Sequence, residues 1–404
     1  MDPTPSEPRT ADIVVAGGGN GGLSVAGRLR RAGVRDVVVV EPREDHYYQP
    51  LFSHVAGGTA RARQAVRPQA EVMPRGVRWI QDAVAAVEPA DDRVVLGHGG
   101  TLSYRQLILA PGIRQDWDAV PGLTAAMLSP HGASNYVFDL AAKASPLLRD
   151  LRRGTVVFVQ PTGPASCAGA AQKPMYQACD YWRRIGVLPD LRVVLLVADD
   201  TIFGIPEIDA ELDRKIAEYG IEVHLGAAVR EVDADRRTIV FTTGSGSRAH
   251  SITYDALLAE PPQSAPPFIA DSGLSAPEAA GFADVDPRTL RHRRFPNVWA
   301  LGDAAATTNS KSGGALRAQT KVLAQNLVAV RAGAEPPASY DGYGVCPFTV
   351  SRSTAVFAEF DDRRRLTPTL PAWTRSYRES RLSWIIDRYV FPQIYWHLIL
   401  QGRA

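Results

Sequence analysis

The sequence predicts an α/β chain of two Rossmann-like domains followed by an amphipathic helical segment suited to a membrane surface. Three observations carry that expectation. A strand, glycine-rich turn, helix and second strand fill residues 11–41. A second strand–helix unit starts at Gly154. An aromatic-rich stretch, LSWIIDRYVFPQIYWHLIL, occupies residues 382–400.

The opening unit reads ADIVVAGGGNGGLSVAGRLRRAGVRDVVVVE. Ile13–Ala16 is a continuous apolar run of the kind a buried parallel strand needs. Gly17, Gly19 and Gly22 follow in the G-x-G-x-x-G spacing. Such glycines allow the tight turn, the approach of a pyrophosphate, and the packing of helix on sheet. The helix is expected over 21–31, with Gly33 beyond its end. Val37–Val40 form the next strand, and Glu41 ends it where a carboxylate reaches a ribose 2′-hydroxyl. An acid there argues against a 2′-phosphate.

Composition narrows the class. The 404 residues suffice for two cores, and 45% hydrophobic with 22% charged residues is ordinary for a globular chain. A net charge of +2 is no nucleic-acid footprint. Three cysteines make no disulfide scaffold, and no metal site is expected. The N-terminal MDPTPSEPRTAD has no apolar stretch to serve as a secretory signal. No run is long and apolar enough to span a bilayer.

Further strands are expected at 77–80, 82–87, 94–96 with 101–104 as a hairpin, and 107–110. The basic stretch 59–70, with Arg61, Arg63 and Arg67, reads as a solvated helix face. In the second unit, strand 154–160 is followed by PTGPASCAGAAQKPMY, without a second glycine signature for a nicotinamide nucleotide. A helix is expected at 174–185. Strand 192–198, helix 208–219 and strands 221–225, 228–233, 238–242 and 251–257 come next. Strand 298–301 then runs into Gly302 and Asp303, a return to the first domain that raises the odds of FAD. Helix 315–330 lies behind it. The expected domains are 11–112 with 280–330 for FAD, 113–279 without a nicotinamide motif, and 331–404 at the C-terminus.

Cys167 and Cys346 both fall in glycine- and proline-rich stretches, which suggests loops. Cys179 lies in a helical pattern and reads as a small buried hydrophobe. A redox pair and two buried free thiols remain open for Cys167 and Cys346. The stretch 382–400 reads as two short amphipathic helices broken at Pro392, lying in a membrane interface. A dimer contact or a cap on the core is the alternative. A flavin with no nicotinamide site and a membrane-facing end calls for a quinone.

The chain resembles the sulfide:quinone oxidoreductases, monotopic FAD enzymes with glutathione-reductase-like domains. The resemblance runs from Ala11 to Gly402 and is carried by HYYQPLF (46–52), SNYVF (134–138), CAGAAQKPMY (167–176), FPNVWALGDA (295–304), DGYGVCPF (341–348), AEF (358–360) and FPQIYWHLIL (391–400). It implies that Cys167 and Cys346 are the redox pair, Cys167 facing the flavin and Cys346 carrying a persulfide. It implies that Gly17, Gly19, Gly22, Glu41, Gly302 and Asp303 hold FAD, with Lys311 at the pyrimidine edge. It further implies hydrosulfide as substrate, ubiquinone or menaquinone as acceptor, a small sulfur acceptor, and a peripheral place on a membrane; the lack of a signal in the N-terminal stretch favours the cytoplasmic face. A homo-oligomer is compatible with all of this.

Pro111, Gly313 and Gly314 depart from the family pattern, and the two glycines would open room near the flavin. Three other readings are kept. An NADH:quinone oxidoreductase would need the missing nicotinamide site. A cytochrome-linked sulfide dehydrogenase would usually be exported. A flavin-binding sensor would show no turnover.

Overall fold

The computed structural model describes residues 9–161, 163–244, 248–369 and 375–404. Part of the N-terminal stretch read as lacking a signal, Met1–Pro8, lies outside them, as do 370–374 in the C-terminal region. Strand β1 (Arg9–Ala16) leads through the glycine turn into helix α1 (Asn20–Arg31) and strand β2 (Val37–Val40). β1 pairs in parallel with β2 on one side and with β3 (Thr101–Leu109) on the other. All four β2 residues are buried valines, as a strand covered on both faces requires. Arg78–Ile80 extends the sheet beyond β2, and the strands Arg93–Leu96 and Val84–Glu88 extend it beyond β3.

The second sheet is parallel and centres on β4 (Gly154–Gln160), flanked by Ala256–Ala259 and Leu191–Val197. Helix α2 (Gln172–Arg184) packs against it and buries Met175, Tyr176, Cys179 and Trp182. The indole Nε1–H of Trp182 donates to Leu148 O at 2.9 Å, so this fully buried side chain leaves no polar atom stranded. Late in the chain, β5 (Val298–Ala300) returns to the first sheet and pairs in parallel with β3. Helix α3 (Gly313–Arg331) begins at Ser312, whose hydroxyl accepts the Ala315 N–H. A hairpin of β6 (Gly344–Thr349) and β7 (Ala355–Phe360) then carries Cys346 opposite Ala358.

Five expectations need correction. The expected strands 101–104 and 107–110 merge into one nine-residue strand, Thr101–Leu109, which pairs with a hairpin partner at one end and with β1 along its length. Residues 251–257 are split between two sheets at Tyr254 and Asp255, because Ala249–Thr253 closes an antiparallel meander and Ala256–Ala259 joins the parallel sheet. Residues 59–70 contain a short turn, a strand at Val66–Pro68 and the start of a one-turn helix rather than a solvated helix face. Cys346 lies on a strand, not in a loop. Finally, the C-terminal segment is one helical run from Arg381 to Ile399, unbroken at Pro392. Wide i→i+5 turns at Ile386–Val390 and Tyr395–Ile399 flank the proline and absorb its missing N–H.

Gly22 is the most demanding position in this frame. A Cβ there would overlap the Gly17 carbonyl. Gly22→Ala is expected to cost about 2–4 kcal/mol and to lower bound flavin, read by thermal melting and by the flavin-to-protein absorbance ratio. An unchanged melt and full flavin content would contradict the packing described.

Candidate active site

The glycine turn forms an open cradle at the ends of β1 and β2. Gly17 has φ +104°, and a Cβ on it would overlap Ala110 O. Around Gly19, by contrast, nothing lies within 4 Å of a built Cβ. That free approach is what a pyrophosphate needs. Glu41 is 7% exposed; its Oε2 accepts Gly18 N–H at 2.8 Å and its Oε1 accepts Arg43 N–H at 3.0 Å. Each oxygen keeps a lone pair for a ribose hydroxyl. Beside this cradle, β5 is followed by Leu301, Gly302 and Asp303, with Gly302 N–H donating to Gln319 Oε1 at 2.7 Å. The donors, the gap and the carboxylates fit a dinucleotide.

His46 ties the cradle to the C-terminal helix. Its Nδ1 lies 3.1 Å from Gly18 O and 3.0 Å from Gln69 Oε1, and its Nε2 lies 2.6 Å from the Tyr395 hydroxyl. Both Nδ1 partners are acceptors, so Nδ1 carries the proton and Nε2 accepts from Tyr395. Burial pushes the imidazole down to about 4, which keeps this neutral form at ordinary pH.

Lys311 is buried at the start of α3, not solvated. Its ammonium donates to Asp303 O at 2.8 Å and Ala305 O at 3.0 Å and lies 4.2 Å from the Phe282 ring centre. Burial lowers it to about 8. The Lys311 carbonyl accepts the Cys167 N–H at 2.6 Å. The backbone thus joins the cation next to the cradle directly to the cysteine.

The two cysteines are 179 residues apart in sequence, and their sulfurs lie 3.3 Å apart. Cys167 holds φ +57°, a strained value for a residue with a Cβ. Three groups hold it there. Tyr136 Oη donates to Cys167 O at 3.0 Å, Asn135 Nδ2 donates to Ala170 O at 3.0 Å, and Lys311 O takes the amide. Lys173, on the first turn of α2, brings Nζ to 3.4 Å from Cys167 Sγ. A hydrogen bond from Cys346 and the Lys173 charge together hold the Cys167 thiol below its ordinary range. The shared hydrogen bond and burial push Cys346 well above it. Cys167 is therefore the thiolate of the pair and Cys346 the thiol. Cys179 is fully buried in α2, and burial pushes its thiol up as well.

Gly314 does not open room near the cradle as expected. A Cβ there would overlap Val345, so the glycine lets β6 bring Cys346 against the start of α3. Ser312 Oγ, which caps α3, also accepts Val345 N–H at 3.4 Å. Lys173, Asn135 and Tyr136 were not singled out from the sequence as site residues. The signal was present: the SNYVF and CAGAAQK segments both carried the resemblance, and the structure shows that they meet at Cys167.

Residues 11–333 match the pyridine nucleotide-disulphide oxidoreductase family. The mitochondrial sulfide:quinone oxidoreductase of Mus musculus is 34% identical over 97% of this chain and 86% of its own length. The chain belongs to the sulfide:quinone oxidoreductase family. It is an FAD-dependent oxidoreductase. The type II NADH:quinone oxidoreductase Ndh of Mycobacterium tuberculosis is 29% identical over 88% of this chain and 81% of that protein. In fold, the chain matches the Aquifex aeolicus sulfide:quinone oxidoreductase with a TM-score of 0.80 at 17% identity, over 96% of this chain and 91% of that one.

Lys173 supplies the test of the electrostatics around the two sulfurs. Removing a cation beside a thiolate disfavours the anion, so Lys173→Met is expected to raise the apparent pKa of Cys167. Alkylation of Cys167 at neutral pH should slow by about tenfold or more, read by peptide mass spectrometry across a pH series. An unmoved profile would contradict the pairing.

Proposed function

We propose that the chain oxidises hydrosulfide at a Cys167–Cys346 disulfide and delivers the electrons to a membrane quinone. The observation that carries this reading is the thiol pair itself, two sulfurs at 3.3 Å with a buried lysine on one of them. Hydrosulfide attacks Cys346 Sγ; a sulfur–sulfur bond forms there, the Cys167–Cys346 bond breaks, and its electron pair stays on Cys167 Sγ. Lys173 holds that anion. The strained backbone of Cys167, fixed by Tyr136 and Lys311, keeps the sulfur in one place through the exchange. The persulfide sulfur then leaves Cys346 to a second sulfur nucleophile. FAD, held by Gly17, Gly19, Gly22, Glu41, Gly302 and Asp303 with Lys311 beside it, supplies two-electron transfer from thiol to quinone.

The C-terminal helix is the proposed membrane contact. Leu382, Ile385, Tyr389, Val390 and Leu398 are exposed on it, while Arg388, Pro392, Tyr395 and Trp396 face the body. Such an apolar face with an interfacial tyrosine suits a helix lying in the headgroup layer. Among the described residues no helix is long and apolar enough to cross a membrane. A second reading, NADH:quinone oxidoreduction, draws on the likeness to the mycobacterial enzyme. The segment after β4, where a nicotinamide signature would stand, carries Cys167 instead.

Cys346→Ser is expected to abolish sulfide-dependent reduction of a soluble quinone analogue while FAD stays bound; turnover near the original rate would contradict the relay. NADH should leave the flavin absorbance of the unmodified protein unchanged, and bleaching by NADH would favour the second reading. Replacing both Leu382 and Tyr389 by Asp should release the protein from sedimenting lipid vesicles without loss of FAD. Undiminished sedimentation would contradict the helix as the contact.

A further inference from the structure

A cleft of about 500 Å³ lies between the turn at 58–64 and the helix residues Arg388 and Tyr389. Its charged side chains are Arg61, Arg63 and Arg388, and no carboxylate lines it. The whole chain carries a net charge of only +2, so this concentration of positive charge is local. None of the three arginines forms an ion pair among the described residues; Asp387, next to Arg388, is bound by His54 Nε2 at 3.0 Å instead. Arg61 and Arg63 are exposed. They take no part in seating the helix, which uses Thr59, Gln64 and Arg67.

Arg388 is the decisive member. It is 6% exposed, and its Nε and Nη2 donate only to neutral acceptors, Thr59 O at 2.9 Å and Gln64 Oε1 at 2.8 Å. Its Nη1 has no partner among the described residues. A guanidinium this enclosed is costly when only neutral oxygens meet it, and an anion in the cleft offsets that cost. The planar fork of arginine matches the oxygens of a phosphate. The cleft also adjoins the apolar side of the helix. Tyr389 lines the cleft and is 53% exposed on that side. Leu382, Ile385 and Tyr389, all exposed, recur at the three- and four-residue spacing of one helix side. The surface thus offers cations and an apolar strip side by side, which suits an anionic amphiphile. A free inorganic anion would use the cations and leave the strip bare.

We propose that this cleft binds the headgroup phosphate of an anionic phospholipid, with Arg61, Arg63 and Arg388 around the phosphodiester and the acyl chains beside Leu382, Ile385 and Tyr389. This rests on the helix being the membrane contact. The cleft then selects headgroups of net negative charge and sets the depth at which the helix sits, because the phosphate level of the bilayer is fixed against Arg388.

The test titrates the holoenzyme calorimetrically with dihexanoyl phosphatidylglycerol below its micelle concentration. One equivalent should bind, and dihexanoyl phosphatidylcholine and inorganic phosphate should each bind about tenfold more weakly or worse. The double variant Arg61→Gln with Arg63→Gln should lower the affinity for phosphatidylglycerol by about tenfold or more. Arg152→Gln with Arg153→Gln removes the same charge from exposed residues just before β4 and should leave the affinity unchanged. Equal losses in the two double variants, or inorganic phosphate binding as tightly as the lipid, overturn the proposal. Arg388→Gln should lose lipid binding as well while keeping FAD, and full binding by that variant also overturns it. Sedimentation with vesicles separates this proposal from the reading it rests on. Protein that sediments with phosphatidylcholine vesicles but does not bind the soluble lipid overturns the lipid site alone. Protein that sediments with neither neutral nor phosphatidylglycerol vesicles overturns the membrane contact and the lipid site with it.

Discussion

One half-buried anion, the Cys167 thiolate, sets the terms for the middle of this molecule. A lysine as enclosed as Lys173 is costly unless its charge is met, and the sulfur 3.4 Å away meets it. A thiolate in an apolar surround is costly in turn unless donors reach it, and Lys173 and Cys346 do so. Each group is tolerable only because of the others. The segments that position them come from four separate parts of the chain: 134–138, 167–173, 311–314 and 344–348. The strained φ of Cys167 is the visible cost of bringing them to one point.

The same economy joins the C-terminal helix to the glycine cradle. Tyr395 reaches His46, and His46 reaches the carbonyl of Gly18 in the turn. Arg67 lies over the Trp396 ring at 4.6 Å, and Arg388 donates to Thr59 O and Gln64 Oε1 at 2.9 and 2.8 Å. The basic stretch 59–70 therefore serves as the seat of the helix. The buried side of the helix reports on the cradle, and the exposed side presents apolar surface outward.

How much of this was legible follows from how local each feature is. β1, the glycine turn, α1 and β2 could be read from residues 11–41 because strand, turn and helix signals there are consecutive in sequence. Cys346 read as a loop residue because glycine and proline flank it, yet its strand is fixed by pairing with Ala358, which no local pattern shows. The expected break at Pro392 was a sound local inference, overridden by wide turns that the packed aromatics Tyr395 and Trp396 stabilise from the body side. The nearness of Cys167 to Cys346 came only through the family resemblance. Lys173 acquires its meaning from burial and from the sulfur beside it. A lysine in a helix start carries no such mark in the sequence.

The most direct measurement is to add one equivalent of sulfide to the anaerobic holoenzyme, quench with an alkylating agent, and map sulfane sulfur by peptide mass spectrometry. The account predicts one extra sulfur on the peptide carrying Cys346 and an alkylated thiol at Cys167. Sulfane sulfur on neither peptide, or the same yield of it in Cys167→Ser, would contradict the central claim that these two sulfurs act as a pair.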